Sequence, residues 1–318
     1  MQNRTVLWIF LAFILGFILP ICSCAGIGLI TLNAFGQMAG ESTSPVFGAG
    51  DAVAVIDLTG TITSDQPEPI TTTLITPSQV DELLKQAQDL DQVKAVVIRI
   101  NSPGGSVVAS DEIYHMLLDF DKPVVIWMGE MAASGGFYIS CAGDYVIAHR
   151  DTLTGSIGVI SQFINAEEFL NKYGIEAVVI TSGPHKDMGS LFRGMTDEEQ
   201  KIWNEMIDQI YDDFVQIVAE GRNLPEETVR ELADGRVYTG QQALEYGLID
   251  AVGLTSDAIE KAAELGGIEG EPQVIILEST PSLLESLYSI QARSAIPTLE
   301  EVLNWAGAPS MEYRFIGP

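Results

Sequence analysis

Basic residues are scarce in this chain. Its 318 residues include 16 Lys and Arg against 44 Asp and Glu, so the formal net charge is −28 at pH 7. Nucleic-acid binding depends on clustered Lys and Arg that contact phosphates, so this composition argues against a nucleic-acid partner. The same acidity argues against a body that lies flat on anionic lipid. An acidic, solvated surface that keeps the protein soluble accounts for the charge.

Cysteine is also rare. The chain has three cysteines, Cys22, Cys24 and Cys141, and their spacing matches neither a disulfide framework nor a zinc site. We therefore expect no structural metal, and nothing else in the sequence indicates a cofactor.

Charged residues are absent from 5–40. A bilayer span needs about 20 apolar residues, so residues 1–35 are predicted to form a single-pass transmembrane helix. A linker rich in Gly, Ser and Pro follows at 36–50. Arg4 is the only charge before the apolar run, so the positive-inside rule places the body on the extracytoplasmic side of the cell membrane. A cleaved signal peptide and a lipoprotein signal with Cys24 as the lipidated residue remain alternatives.

Strand and helix signals alternate through residues 51–279, which predicts one α/β domain. Apolar, β-branched runs at 93–100 and 123–128 are typical of buried strands, and shorter strands are predicted at 157–160 and 177–180. A capping pattern at Thr196 begins a long amphipathic helix. Residues 280–318 form a tail of unclear role.

Ser134 lies between a predicted strand and a predicted helix, in the sequence Met-Ala-Ala-Ser-Gly-Gly at 131–136. A nucleophile at a strand-to-helix turn is exposed to substrate, and small neighbours let a peptide backbone approach it. An ordinary N-cap serine would produce the same local pattern.

A second glycine-rich stretch, Asn-Ser-Pro-Gly-Gly at 101–105, follows a predicted buried strand. Gly104 and Gly105 permit unusual backbone angles and free N–H groups. Such donors could form an oxyanion hole, in which each contributes roughly 3–4 kcal/mol to acyl transfer. A simple tight turn is the alternative.

A nucleophilic serine needs a base. His185 and Lys186 lie together in a loop containing Gly and Pro, at 181–187. A lysine serves as a base only when its surroundings lower its pKa from about 10.4 toward about 7–8. A neighbouring hydroxyl such as that of Ser156 could orient it. The residues alone leave a Ser–His–Asp triad with His185 open.

The motifs together resemble the signature blocks of the bacterial signal peptide peptidase A family. These blocks lie at 101–105, 131–136, 153–159, 182–187 and 234–238, in the family's order. The separation of Ser134 and Lys186, 186 − 134 = 52 residues, resembles the single-domain branch.

This resemblance implies a membrane-anchored serine endopeptidase with a Ser–Lys dyad. Ser134 would be the nucleophile, Lys186 the general base and Ser156 the residue that orients the lysine. Gly135 and either Gly104 or Gly105 would supply the oxyanion N–H groups.

The implied fold is a spiral of ββα units like that of Clp protease and crotonase, and residues 51–279 would be the peptidase domain. Members of the family form homo-oligomeric rings. The resemblance therefore implies that Lys186 can come from a neighbouring protomer. Implied substrates are remnant signal peptides and other unfolded hydrophobic peptides, cleaved through an acyl-enzyme.

Three other functions fit parts of the sequence. A stomatin-associated membrane protease would carry further apolar spans, which are absent from the sequence after Gly50. A crotonase-type acyl-CoA enzyme would use similar glycine-rich loops but explains neither the anchor nor the Ser–Lys pair. A non-catalytic scaffold could keep the fold without the chemistry.

Overall fold

The computed structural model describes residues 50–64, 74–278 and 311–315. The predicted anchor and, apart from Gly50, the predicted linker lie outside these residues. Among the described residues, no helix has both the length and the apolar character that crossing a bilayer requires.

Strands and helices alternate along the body, as predicted. In chain order the strands are β1 (Ala52–Thr59), β2 (Thr61–Ile62), β3 (Leu74–Ile75), β4 (Val93–Ser102), β5 (Gly104–Ser106), β6 (Val124–Ala133), β7 (Tyr145–Ala148), β8 (Leu153–Gly155), β9 (Val237–Thr239), β10 (Ala251–Val252), β11 (Gln273–Leu277) and β12 (Glu312–Arg314). The helices are α1 (Pro77–Asp89), α2 (Val107–Leu118), α3 (Gly135–Ser140), α4 (Glu167–Lys172), α5 (Asp197–Arg222), α6 (Glu226–Leu232), α7 (Gly240–Glu245) and α8 (Thr255–Leu265).

A parallel sheet forms the centre of the fold. Its strands lie in the order β10, β7, β6, β4, β1, β11, and each neighbouring pair is parallel. β8 extends the end of β6 in parallel and pairs with β9 in antiparallel orientation. Strands β1, β4 and β6 are apolar runs rather than alternating patterns because helices cover both faces of such a sheet.

Helix α8 covers one face of this sheet with small side chains. Ala258, Ala262 and Ala263 pack against Val53 and Val97 of the strands below. Helices α2 and α3 lie against each other, and α3 also packs on β4 and β6. The carboxyl end of β6 and the start of α3 therefore meet at one edge of the sheet, where Ser134 lies.

Helices α1 and α5 begin with side-chain caps, and the cap of α5 is the one predicted at Thr196. Thr76 caps α1 through the Gln79 N–H, and Thr196 forms a full capping box with Glu199 at the start of α5. Each such cap contributes about 0.5–2 kcal/mol.

A second, small sheet contains β12, β5, β2 and β3, in that order. β12 comes from the segment predicted to be a tail of unclear role. It pairs with β5 in antiparallel orientation, so residues 311–315 pack against the body.

Two short predicted strands differ from the structure. The strand predicted at 177–180 is wrong, since those residues have no regular structure and are all exposed. Of 157–160, Ile160 makes an isolated antiparallel bridge with Glu312. An apolar run forms a strand only where a neighbouring strand is available to pair with it.

We expect Ile98→Ala to lower the free energy of unfolding by about 2–5 kcal/mol, because it removes a fully buried side chain from the sheet centre. Ile98 is 0% exposed and pairs with both Ile56 and Ile126. The matched control is Ile276→Ala on the edge strand β11, where the side chain is 58% exposed, and its effect should stay within about 0.5 kcal/mol. Denaturant unfolding of both variants measures the difference, and equal losses would contradict this assignment of the core.

Candidate active site

Ser134 occupies a strained turn between β6 and α3. Its backbone angles are φ 54° and ψ −117°, which L-residues rarely adopt. Its N–H donates to the Gly155 carbonyl oxygen at 2.7 Å, and its own carbonyl accepts from the Tyr138 N–H at 2.8 Å. Although Ser134 stands at the N-cap position of α3, its side chain makes no capping hydrogen bond. A purely capping role is therefore wrong, and strain of this kind is typical of functional sites.

The glycines after Ser134 are required by close packing. A Cβ atom on Gly135 would lie 2.6 Å from the Ser110 hydroxyl oxygen, and one on Gly136 would lie 2.9 Å from the Ser102 carbonyl oxygen. Larger residues would push the start of α3 away from β4 and α2. The small residues predicted to give substrate access thus also fix the position of Ser134.

The Gly104–Gly105 turn lies directly beside the start of α3. Gly104 has a φ of +93°, and a Cβ atom on it would lie 2.5 Å from the Gly135 nitrogen. The two stretches predicted to supply oxyanion donors are therefore adjacent. The Gly104 N–H, however, donates to the Ser102 hydroxyl at 3.0 Å.

Ser156 shares a pocket with Ser134. This pocket has a volume of about 420 Å³ and is also lined by Tyr211 and Asp234. Ser156 is buried and has a φ of 50°, and its N–H donates to the Arg236 carbonyl oxygen at 2.8 Å. The block at 234–238, for which the sequence predicted no role, thus positions Ser156 and forms one wall of the pocket.

Lys186 and His185 lie outside this pocket. Lys186 is exposed, and its ammonium makes no hydrogen bond or ion pair with any described residue. The carboxylates nearest to His185 belong to Glu198 and Glu199, at 3.9 and 4.0 Å. A single chain therefore brings together Ser134, Ser156 and the three glycines, but not a basic side chain from this loop.

The segment that carries Lys186 has few tertiary contacts. No side chain from 158 to 198 is buried, and α4 in the middle of it buries none. Its exposed side chains include many large apolar ones: Ile164, Phe169, Tyr173, Ile175, Val178, Val179, Ile180 and Phe192.

A charged cluster, formed by Asp187, Arg193 and Glu199, ties the Lys186 loop to α5. The Arg193 guanidinium binds both oxygens of Asp187, at 2.7 and 2.8 Å, and both oxygens of Glu199, at 2.5 and 2.8 Å. The Glu199 side chain is 1% exposed and also accepts from the Thr196 N–H. The Arg193 hydrogen bonds lower the pKa of Glu199 to about 2 and also lower that of Asp187. The sequence indicated a capping pattern at Thr196 but not this charged cluster.

Residues 311–315 also lie at the site, and no sequence pattern predicted this position. β12 lies between β5 and Ile160, and the Phe315 N–H donates to the Pro103 carbonyl oxygen at 2.8 Å. Arg314 lines the same pocket as Ser134 and Ser156.

Two family models match the chain: Peptidase family S49 over residues 117–269 and Clp protease over residues 56–165. The second match accords with the α/β body described above. The five motif blocks fall within the combined range of the two matches.

Three similar proteins carry names of proteases or peptidases. A candidate protease of Synechocystis sp. is 43% identical over 278 residues, which cover 82% of this chain and 96% of the relative. A candidate signal peptide peptidase of Enterococcus faecium is 42% identical over 180 residues, 56% of this chain and 52% of the relative. The chloroplastic serine protease SPPA of Arabidopsis thaliana is 35% identical over 241 residues, 74% of this chain and 36% of the relative. The chain thus spans nearly all of the first relative but about half or less of the other two.

The low pKa of Glu199 predicts a pH dependence of stability. A carboxyl whose folded-state pKa lies below its unfolded value near 4.5 stabilises the fold above that value, and this contribution is lost as pH falls toward about 2. We expect Glu199→Gln to destabilise the protein at pH 7 and to flatten the pH dependence between about 4.5 and 2.

Thermal unfolding from pH 7 to pH 2.5 tests this expectation. Glu198→Gln is the matched control, because its neighbouring carboxylate is 77% exposed. His185 also faces Glu199, so the comparison is repeated in His185→Gln. Identical pH profiles for Glu199→Gln and Glu198→Gln would contradict a stabilising cluster.

Proposed function

Because the chain belongs to peptidase family S49 and is a serine protease, we propose that Ser134 is its nucleophile and Lys186 its general base. The observation that carries this proposal is the Ser134 turn. A serine is held at strained angles at the end of a central strand, with no capping hydrogen bond from its side chain, beside a glycine turn and a second buried serine. This combination is what acyl transfer to a serine needs.

In the proposed reaction, neutral Lys186 takes the Ser134 hydroxyl proton while the oxygen attacks a peptide carbonyl carbon. The tetrahedral oxyanion accepts hydrogen bonds from backbone N–H groups. Its collapse expels the amine, which takes up the proton held by Lys186. An ester remains on Ser134. Water, deprotonated by Lys186, then hydrolyses this acyl-enzyme and frees the new carboxylate.

Gly135 and Gly105 are the oxyanion donors that we favour. The Gly104 N–H already donates to Ser102, so Gly104 is the weaker candidate of the two turn glycines. Each donor of this kind contributes roughly 3–4 kcal/mol to transition-state stabilisation.

We place Lys186 in the site of a neighbouring copy of the chain. Three observations support this arrangement: Lys186 does not line the pocket of its own chain, its segment buries no side chain, and that segment exposes a large apolar surface. Exposed apolar surfaces of this size are typical of interaction sites. Packing of the segment on a second copy in a homo-oligomeric ring would shield the ammonium and bring it near Ser156.

Residues 1–35 serve as a single-pass membrane helix that holds the peptidase domain on the extracytoplasmic side. The support is the uncharged run at 5–40 and the lone Arg4 before it. An anchored enzyme would meet remnant signal peptides where they are left. The substrates proposed are these and other unfolded hydrophobic peptides, bound by strand addition beside Gly104 and Gly105.

Ser134→Ala and Lys186→Ala should each lower kcat by about 10³-fold or more, since each removes a group that acts in the transition state. The matched control is Lys172→Ala, an exposed lysine of the same segment, which should keep wild-type kcat. Hydrolysis of a fluorogenic hydrophobic peptide by the full chain in mild detergent, from pH 6 to pH 10, measures these effects. Wild-type activity should rise with pH, because only a neutral lysine accepts a proton.

Full activity of Lys186→Ala together with inactivity of His185→Ala would show that the base is misassigned. No hydrolysis of any peptide by assembled, folded wild type would overturn the peptidase proposal and favour an acyl-CoA enzyme or a scaffold.

Mixing of two inactive variants tests whether Lys186 acts between chains. Assemblies formed from equal amounts of Ser134→Ala and Lys186→Ala chains should recover about a quarter of the wild-type sites, because intact Ser134 meets an intact neighbouring Lys186 at that frequency. A base that acts within its own chain would give no recovery. The control mixes Ser134→Ala with Ser134→Ala/Lys186→Ala, which should stay inactive under either arrangement.

A further inference from the structure

The charged cluster of Asp187, Arg193 and Glu199 includes the residue next to Lys186. Asp187 follows Lys186 directly in the chain, and the Arg193 guanidinium binds both of its oxygens, at 2.7 and 2.8 Å. The same guanidinium binds both oxygens of Glu199, in the first turn of α5, at 2.5 and 2.8 Å. One side chain therefore joins the backbone beside the proposed base to a long helix.

Both ends of this connection are fixed in orientation. Paired hydrogen bonds between a planar guanidinium and a carboxylate are strong and restrict the two groups to one relative geometry. The Glu199 side chain is 1% exposed and also accepts from the Thr196 N–H at 2.9 Å. The Asp187 side chain is 20% exposed, so water screens its ion pair with Arg193 less than it screens a pair on the open surface.

The backbone around Lys186 forms consecutive turns. The Lys186 N–H donates to the Gly183 carbonyl oxygen at 3.3 Å, and the Ser190 N–H donates to that of Asp187 at 3.0 Å. These turns set the local shape of the loop but not its position on the molecule. Because Asp187 is part of them, the bonds that hold its carboxylate also hold the turn that carries Lys186.

His185 does not fasten this loop to α5. Its Nδ1 atom is buried without a hydrogen bond, and the carboxylates of Glu198 and Glu199 lie 3.9 and 4.0 Å from its ring nitrogens. Distances of this length are too great for hydrogen bonds. Arg193 therefore makes the side-chain hydrogen bonds that connect the loop with the helix.

Other backbone bonds join this stretch to the exposed segment of which it is part. The Ala166 N–H donates to the Leu191 carbonyl oxygen at 2.8 Å, and the Gly194 N–H donates to the Glu167 carboxylate at 3.0 Å. Since no side chain from 158 to 198 is buried, these bonds do not fix the loop relative to the sheet.

The charged cluster lies apart from the pockets of its own chain. Among the described residues, none from 161 to 206 lines the pocket that contains Ser134 or the neighbouring pocket beside Pro103. Within one chain the cluster therefore has no contact with a peptide held at Ser134. Any effect of the cluster on the reaction is expected to pass through Lys186.

We propose that Arg193 is a positioning residue for Lys186, and that its bonds to Asp187 and Glu199 fix the turn from which the ammonium reaches Ser134. This inference rests on the proposed function. A general base acts only within hydrogen-bond reach of the proton that it removes. A lysine on a loosely held loop spends more time in water, where it keeps its proton to higher pH. The charged cluster thus raises the fraction of time in which a neutral amine lies at the site.

Asp187→Asn is the variant of choice, because it removes the carboxylate beside Lys186 and leaves Glu199 paired with Arg193. With the full chain in mild detergent and the fluorogenic peptide, kcat should fall about tenfold or more while KM stays within about twofold. The pH of half-maximal kcat should rise by about one unit, since the amine is more hydrated. The matched control is Glu176→Gln, an exposed carboxylate of the same segment, which should change neither quantity.

Conservative variants separate geometry from charge. Asp187→Glu keeps the carboxylate and should restore part of the lost kcat. Arg193→Lys keeps the positive charge but cannot bind two carboxylates through paired bonds, so its kcat should fall as in Asp187→Asn. Arg193→Ala is avoided, because it leaves the buried Glu199 carboxylate without its cationic partner.

The pH profile reports on the loop only if the cluster does not titrate between pH 6 and pH 10. The Arg193 hydrogen bonds lower the pKa of Asp187 and of Glu199, so both carboxylates stay charged in this range. The other titratable groups beside the cluster are His185, the Glu198 that faces it, and Glu167. The profiles are therefore repeated in His185→Gln, where the shift caused by Asp187→Asn should persist.

Hydrogen exchange of residues 181–194, followed by mass spectrometry, measures the loop without reference to activity. Exchange there should be about tenfold faster in Asp187→Asn than in wild type, and unchanged in Glu176→Gln. Unchanged exchange would overturn the inference, and so would an equal loss of kcat at every pH, which indicates a structural role alone. Wild-type kcat in Asp187→Asn while Lys186→Ala is inactive would overturn it and leave the proposed function standing. Full activity of Lys186→Ala would overturn both.

Discussion

The hydrogen bond from the Ser134 N–H to the Gly155 carbonyl oxygen holds the geometry on which the site depends. It joins the end of β6 to the end of β8, and β8 is held in turn by its pairing with β9. Backbone angles like those of Ser134 cost about 1–3 kcal/mol and persist only where the surroundings fix them. The parallel sheet supplies that constraint, because β6 lies between buried neighbours and cannot relax at its end.

The site combines a rigid half with a loosely held half. Ser134, Ser156 and the glycine turns belong to strands and helix starts that are buried and paired. Lys186 belongs to a segment that buries nothing and is fastened chiefly through Arg193, Asp187 and Glu199. Segments with few buried contacts lie at the low-stability end of a fold and are ordered by what they bind. The proposed nucleophile is therefore positioned by the fold of one chain, whereas the proposed base is not.

Local sequence patterns predicted much of the rigid half. The turn at Ser134 and the Pro-Gly-Gly turn were predictable because small residues directly after an apolar strand indicate a tight turn or a close backbone approach. The strand predicted at 177–180 was wrong, because the apolar run was interpreted as a buried strand and the fold leaves these residues exposed. Strand β12 was not predictable, because its pairing with β5 joins residues about 200 positions apart and three residues carry no periodic signal. The role of Lys186 stays a prediction, since within one chain the residue lies outside the pocket of Ser134.

Tyr138 contacts both strand β12 and the turn at Ser134. Its ring stacks on Tyr313, while its N–H binds the carbonyl of Ser134, four residues earlier and one helical turn away. The residue packed on the Tyr138 ring therefore contacts the same helix start that fixes the Ser134 turn. A substitution at Tyr313 or Tyr138 would disturb the packing of β12 and the backbone of Ser134 together.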